Sequence, residues 1–342
     1  MKRTAQGRAI GAAASILACA LLLSCGRDST GGREFRLSLI LGVNSDWYRG
    51  ALRFKELVES QTGGRYRIGI YPHSQLAGGV QRTELEMVQS GVIDLSLESS
   101  ILLSIIEKRM SVLSLPWLFP DYRTAHAALA SPLGGELLGL LERKGIIGLA
   151  YGANGFRQIT NSRNPIRVPG DLRDMKIRVP AIKLYIDIFK LLGADPSSMN
   201  FGELFTALAQ GTMDGQENPA AVIYSSRMYE VQKYLTIWNY SYDPIVLCMN
   251  RKTWNSLPPD IRGVFARCAR EAMEYEYSLV AEGERAAVDS LRAKGMEVNS
   301  LDPKAAASFR ALAEPIYRTY AREIGGNLIE RLRVFSRGDS MI

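Results

Sequence analysis

The chain has 342 residues, 46% apolar and 23% charged, with a formal net charge of +7. That length exceeds one ordinary core and predicts about two domains at ~150 residues each, and the ordinary composition excludes a disordered, collagen-like or coiled-coil chain. Only the first 25 residues are apolar enough to enter a bilayer, four cysteines do not make a disulfide scaffold, and two histidines (His73 and His126) leave little room for a His-ligated metal site or a His-based triad.

The N-terminus reads as an export address. Lys2, Arg3 and Arg8 precede an apolar run from Ile10 to Leu23. That run suits a signal sequence and falls short of the ~20 residues needed to span a membrane. It ends in Leu22-Leu23-Ser24-Cys25-Gly26, which resembles a bacterial lipobox. The expectation is a signal peptide over 1–24, acylation of Cys25, and a flexible polar tether over 25–34 holding the body at a membrane surface. Removing 1–24 takes away three of the positive charges. The remainder is scattered, without a basic block or an aromatic-interleaved stripe, so nucleic-acid binding has little support. Cys248 and Cys268 remain, and two buried thiols are expected rather than a disulfide.

In chain order, Phe35 to Val43 reads as a strand. Asp46 is placed to cap a helix whose apolar face is Trp47, Ala51, Phe54 and Val58. Tyr66, Ile68 and Ile70 alternate in a second strand. Pro72 to Gly79 is turn-rich, Val80 to Ser90 helical, and Val92 to Leu97 a third strand. This β-α-β-α-β run predicts an α/β fold with a mostly parallel sheet wrapped by helices. The pattern then restarts. Strands are expected at Ile146 to Tyr151, Lys176 to Val179 and Ile245 to Met249, with helices at Ala181 to Leu192 and Phe201 to Gln210. Asp260 to Lys294 reads as one long helix of roughly 50 Å at ~1.5 Å per residue, long enough to lie across two domains.

No Walker loop, GxGxxG, HExxH, CxxC or Gly-x-Ser-x-Gly pattern occurs. The pairs Glu84/Glu86 and Glu274/Glu276 are spaced two apart on expected helices. Their side chains diverge, which makes a poor acid–base dyad, and they read as solvated surface charge. No catalytic residue, metal ligand or cofactor is assigned. Arg178 is the odd residue, lying between Ile177 and Val179 in a short strand where half the positions should be buried. A buried guanidinium requires an anion or several acceptors. It is either a structural salt bridge or a planar fork for a ligand carboxylate. Arg157 is a weaker candidate of the same kind, and Asn218 before Pro219 is either a turn residue or an amide contact. Trp47, Tyr48 and Tyr240 are bulky candidates for lining a pocket.

Asn154-Gly-Phe-Arg157, Lys176-Ile-Arg178-Val-Pro180, Ala207-Leu-Ala-Gln-Gly211, Asp214-Gly-Gln-Glu-Asn218-Pro219 and Tyr229-Glu-Val-Gln-Lys-Tyr234, in this order, resemble the DctP-type solute-binding proteins of tripartite ATP-independent periplasmic (TRAP) transporters. The resemblance runs from about Phe35 past Ile329. It implies a two-lobed periplasmic-binding-protein-like fold with a ligand cleft between lobes and a long helix spanning both. Lobe I is expected over 35–153 plus 244–283, and lobe II over 154–243 plus 284–342. It further implies a binder, not an enzyme, that captures a small carboxylate by cleft closure and delivers it to transporter membrane subunits on the periplasmic side of the cell membrane. By the same resemblance Arg178 pairs with the ligand carboxylate, Arg157 and Asn218 reach the ligand, Phe201 lies against it, and Asn44 and Glu98 match polar-ligand contacts of the sialic-acid binders. Those binders carry an arginine where this chain has Ile101, which points to a less polar pocket. The alternatives are a hydrophobic carboxylate as ligand, or service to a sensor or other partner protein. Some relatives work with tetratricopeptide-repeat partners.

Overall fold

The computed structural model describes residues 32–337, so Cys25 and the signal sequence lie outside the described residues. Nine strands form one sheet: β1 (Arg33–Leu39), β2 (Tyr66–Tyr71), β3 (Leu95–Ser99), β4 (Ile146–Asn161), β5 (Lys176–Val179), β6 (Asp195–Ser198), β7 (Gly215–Pro219), β8 (Tyr234–Asn250) and β9 (Glu297–Ser300). Their spatial order is β2-β1-β3-β8-β4-β7-β5-β6, with β9 added to β8. β1 pairs in parallel with β2 and β3, and β5 with β6 and β7. Between these flanks β8 and β4 run antiparallel to each other and to their outer neighbours. The expected parallel sheet is therefore two parallel flanks joined through an antiparallel centre.

β4 and β8 have 16 and 17 residues. At ~3.3 Å per residue each spans roughly 50 Å, enough to cross from one flank's territory to the other's. Both are far longer than the apolar stretches visible in the sequence. The missing halves carry Asn154, Arg157, Gln158 and Asp243, which are buried yet polar and so break the hydrophobic pattern. The β4–β8 register shifts between Ala153 and Gly155 and again between Arg157 and Ile159. A bulge leaves one residue unpaired and re-aims it. Here that residue is Asn154. Gly155 takes φ 112°, and a Cβ there would stand 2.8 Å from the Tyr122 hydroxyl, so both backbone and space require glycine.

The helix Asp46–Gln61 is capped by Ser45, whose Oγ accepts from the Tyr48 N–H, while Asp46 falls in the first turn where its charge suits the helix dipole. β1 begins two residues earlier than expected, at Arg33. The long helix Pro259–Ala293 has 35 residues, about 50 Å. It contributes to each of three cores: Phe265, Ala269 and Met273 beneath β1 and the helix 46–61, Val280 in the largest core, and Leu291 under the helix 201–209. Cys248 and Cys268 are buried free thiols in different cores. No described helix is long and apolar enough to cross a membrane.

Two of the four paired glutamates are not on the surface. Glu84 and Glu276 are fully buried, whereas Glu86 and Glu274 face outward. Residues two apart on a helix point to different sides, so the divergence that spoils a dyad also sends one member of each pair inward. The Glu276 carboxylate accepts from the Ala153 N–H at 2.8 Å, at the edge of the bulge that releases Asn154. A Cβ at Gly50 would stand 2.8 Å from the Glu276 side chain, so that glycine makes room for it.

Candidate ligand-binding site

A cavity of about 390 Å³ of empty space opens where the C-terminal ends of the parallel flanks meet the long central strands. That is where ligands bind in open α/β sheets. Arg178 on β5 and Asn218 on β7 come from one flank, and Ser99 at the end of β3 from the other. Asn154 and Arg157 come from β4. Phe201 begins a helix whose first turn closes the wall beside Arg178, with the guanidinium 5.8 Å from its ring centroid.

Arg178 is 1% exposed. Its Nε and Nη2 donate to one acceptor, the Met199 carbonyl, at 3.1 and 2.7 Å. No carboxylate among the described residues lies within 4.0 Å of it. The far edge of the guanidinium, Nη1 and the outer hydrogen of Nη2, has no acceptor among the described residues. Desolvation, opposed by the Glu217 charge and reinforced by Arg157, pulls its pKa down to about 10. It is a buried cation with no carboxylate in contact among the described residues.

Arg157 is the opposite case. Its Nε and Nη2 form a fork onto both carboxylate oxygens of Glu217, Nη1 donates to Asp243 at 2.8 Å, and Nη2 also reaches Asn218 Oδ1 at 3.1 Å. Burial disfavours its charge, yet Glu217 and the other negative groups outweigh burial and hold its pKa well above the ordinary value. The acids are fixed in turn. The Tyr240 hydroxyl donates to Glu217 at 2.6 Å, and Ser99 and Asn154 donate to Asp243 at 2.6 and 2.8 Å. Trp47 Nε1 closes the chain by donating to Asn154 Oδ1 at 3.1 Å. One hydrogen-bonded chain thus runs from the helix 46–61 to β7, across the width of the central strands.

The structure brings Arg178, Arg157, Asn218 and Phe201 to this cavity, with Trp47 beside them. Asn44 is exposed and Glu98 is buried, and neither lines it. Strand alternation accounts for Glu98. Its neighbour Ser99 faces the cavity, so Glu98 turns to the other face of β3. There burial, and then the nearby Glu84, push its carboxyl well above the usual range. Tyr240 lies behind the wall as a prop for Glu217, and Tyr48 packs half-buried beside the core under β1. Sequence reasoning missed Glu217, Asp243, Ser99 and Gln81. Glu217 carries a signal in hindsight: it is an acid inside a strand one position before Asn218. Asp243, in an aromatic strand, carries the same one.

A cavity at the meeting of two sheet flanks, holding a buried cation with one open edge, is the kind of site a solute-binding fold presents. The chain belongs to the family of bacterial extracellular solute-binding proteins, family 7 (DctP), whose model matches residues 37–323. It is 35% identical over 298 residues to a solute-binding protein of Verminephrobacter eiseniae, covering 87% of this chain and 88% of that one. It is 33% identical over 279 residues to the 2,3-diketo-L-gulonate-binding periplasmic protein of Escherichia coli, covering 81% and 84%. A TRAP periplasmic solute-binding protein of Ralstonia eutropha, solved with bound (S)-2-acetolactate, superposes with a TM-score of 0.87 at 34% identity, covering 89% of this chain and 99% of that one. The two-lobed fold of such proteins is the fold of this chain.

The buried carboxyls give a pH signature. Burial raises the pKa of Glu98 and Glu276 well above the usual value, the Glu84 charge adding to the first and the Asp46 charge to the second, against a lowering by the Ala153 N–H. A carboxyl raised in the folded state stabilises it fully below the unfolded pKa of ~4.3, and that contribution is lost as pH climbs through the folded value. Relative to the parent, the Glu98→Gln/Glu276→Gln double variant should therefore gain stability steadily as pH rises from about 4. Denaturant unfolding at stepped pH checks this; a constant difference between the two proteins would contradict it.

Proposed function

We propose that this chain is the solute-binding component of a TRAP transporter, capturing a small organic acid between its lobes and delivering it to membrane subunits of the transporter. The observation that carries the reading is Arg178, buried at the cavity wall with an open donor edge and, among the described residues, no carboxylate in contact with it. A planar fork of that kind suits a carboxylate held by two parallel N–H···O bonds. The relatives point the same way, since the Ralstonia protein holds an acetolactate and the Escherichia coli protein is named for a sugar acid.

Binding, not bond chemistry, is the activity. Glu217 and Asp243, the acids beside the cavity, are consumed by Arg157, Tyr240, Ser99 and Asn154, which leaves neither free to act as a general base. We assign lobe I to 35–153 plus 244–283 and lobe II to 154–243 plus 284–342. The crossing then falls where Ala153 pairs with Pro244, next to the bulge and the Glu276 contact. Ligand bridging the two lobes biases the hinge toward closure, and closure excludes water and strengthens the ion pair. Micromolar capture requires only about −8 kcal/mol. The exported chain, processed at the lipobox and acylated on Cys25, works on the periplasmic side, held close to the transporter by its lipid. Arg178, Arg157, Asn218 and Phe201 are its ligand-facing residues, with Arg157 acting chiefly as the cation that fixes Glu217 and Asp243.

Arg178→Ala should cost roughly 3–5 kcal/mol of carboxylate binding, because the ligand charge would be buried unpaired. Titration calorimetry on a variant whose melting transition is intact measures it, and a loss under tenfold would remove Arg178 from this role. Cys25→Ser should leave the protein without fatty acid in metabolic labelling, and label retained by that variant would contradict the anchor.

A further inference from the structure

We infer that the ligand is a short monocarboxylate with a branched aliphatic body, and that neither dicarboxylates nor polyhydroxylated sugar acids are its solutes. This rests on the carboxylate reading above and narrows it. The first argument is a count of charge. The cavity holds two cations, and Arg157 is already matched by two carboxylates, Glu217 and Asp243. Only Arg178 is left for an incoming anion. A second ligand carboxylate would find no free cation and would approach the two acids around Arg157, where like charge repels it.

The second argument is the chemistry of the opposite wall. Ile40, Leu41, Ile101 and Leu102 face the cavity from the β1 and β3 side, each under 10% exposed, and Val222 joins them from the other flank. A chain of hydroxyls against these side chains would lose its water without gaining partners, which is the strongest form of discrimination a binding site exerts. Apart from Gln81, the polar side chains present are committed. Asn154 accepts from Trp47 and donates to Asp243, and Asn218 accepts from Arg157 and donates to Gln216. The solute that suits this lining carries one carboxylate for Arg178 and apolar groups for the wall. Each methyl that reaches the wall should tighten binding about fourfold.

Calorimetry on the purified, exhaustively dialysed protein tests this with four probes: 3-methyl-2-oxobutanoate, pyruvate, succinate and galactonate. The inference expects 3-methyl-2-oxobutanoate to bind at least tenfold tighter than pyruvate and at least a hundredfold tighter than succinate or galactonate. It further expects Ile101→Ser to weaken the branched acid about tenfold while leaving pyruvate nearly unchanged. Val222→Ala, a milder truncation, should act in the same direction if the first variant does not fold. Succinate or galactonate binding as well as the branched acid, with Arg178→Ala abolishing it, would overturn this inference and leave the carboxylate reading standing. Equal loss for branched and unbranched acids in the wall variants would overturn it too. Binding of these acids that Arg178→Ala does not alter would overturn both readings.

Discussion

Two buried guanidinium groups stand at the same cavity, and the protein treats them oppositely. Arg157 donates a fork to Glu217, a bond to Asp243 and a further one to the Asn218 amide oxygen, so its desolvation is offset within the fold. Arg178 receives one carbonyl oxygen. Burying a charge without a counter-charge costs several kcal/mol even after relaxation, and such a group persists where a ligand completes it. The contrast assigns separate duties. Arg157 organises the acids and amides that shape the cavity, and in the proposed function the open edge of Arg178 takes the solute. Exchanging those duties would require moving Glu217 and Asp243, which Tyr240 and Ser99 hold in place.

The rest of the molecule serves that arrangement. Two long strands carry the polar chain from one flank of the sheet to the other, and a bulge between Ala153 and Gly155 turns Asn154 out of the ladder toward Trp47 and Asp243. The N–H at the edge of the bulge is taken by Glu276, from the one helix that reaches all three cores. In the lobe assignment proposed above, this discontinuity is the pivot, because a bulge absorbs dihedral change more easily than a continuous ladder.

Much of the flanks was legible from the sequence, because half-buried strands and amphipathic helices advertise themselves by period. The long helix was read to within a residue at each end. The centre was not legible, for a physical reason. Where β4 and β8 pass the cavity, buried polar residues such as Asn154, Arg157, Gln158 and Asp243 interrupt the buried apolar ones, so the hydrophobic pattern loses its period between Tyr151 and Ile245. β6, Asp195-Pro-Ser-Ser198, has no strand signature at all and exists only because β5 offers it an edge. Arg178 stood out because a charge between Ile177 and Val179 conflicts with its surroundings. Glu276 and Glu84 did not, because on a helix an acid is ordinarily solvated, and nothing local says which of two neighbouring glutamates turns inward. Asn44 and Glu98 came from resemblance alone and lie off the cavity wall.

The central claim is that the open edge of Arg178 is where the solute's charge sits. A crystal structure with a bound organic acid tests it most directly. The account predicts the two carboxylate oxygens at about 2.7–2.9 Å from Nη1 and Nη2 of Arg178, with the Met199 carbonyl retained on the other edge. An acid bound elsewhere in the cleft, with Arg178 turned onto Glu217, would contradict it.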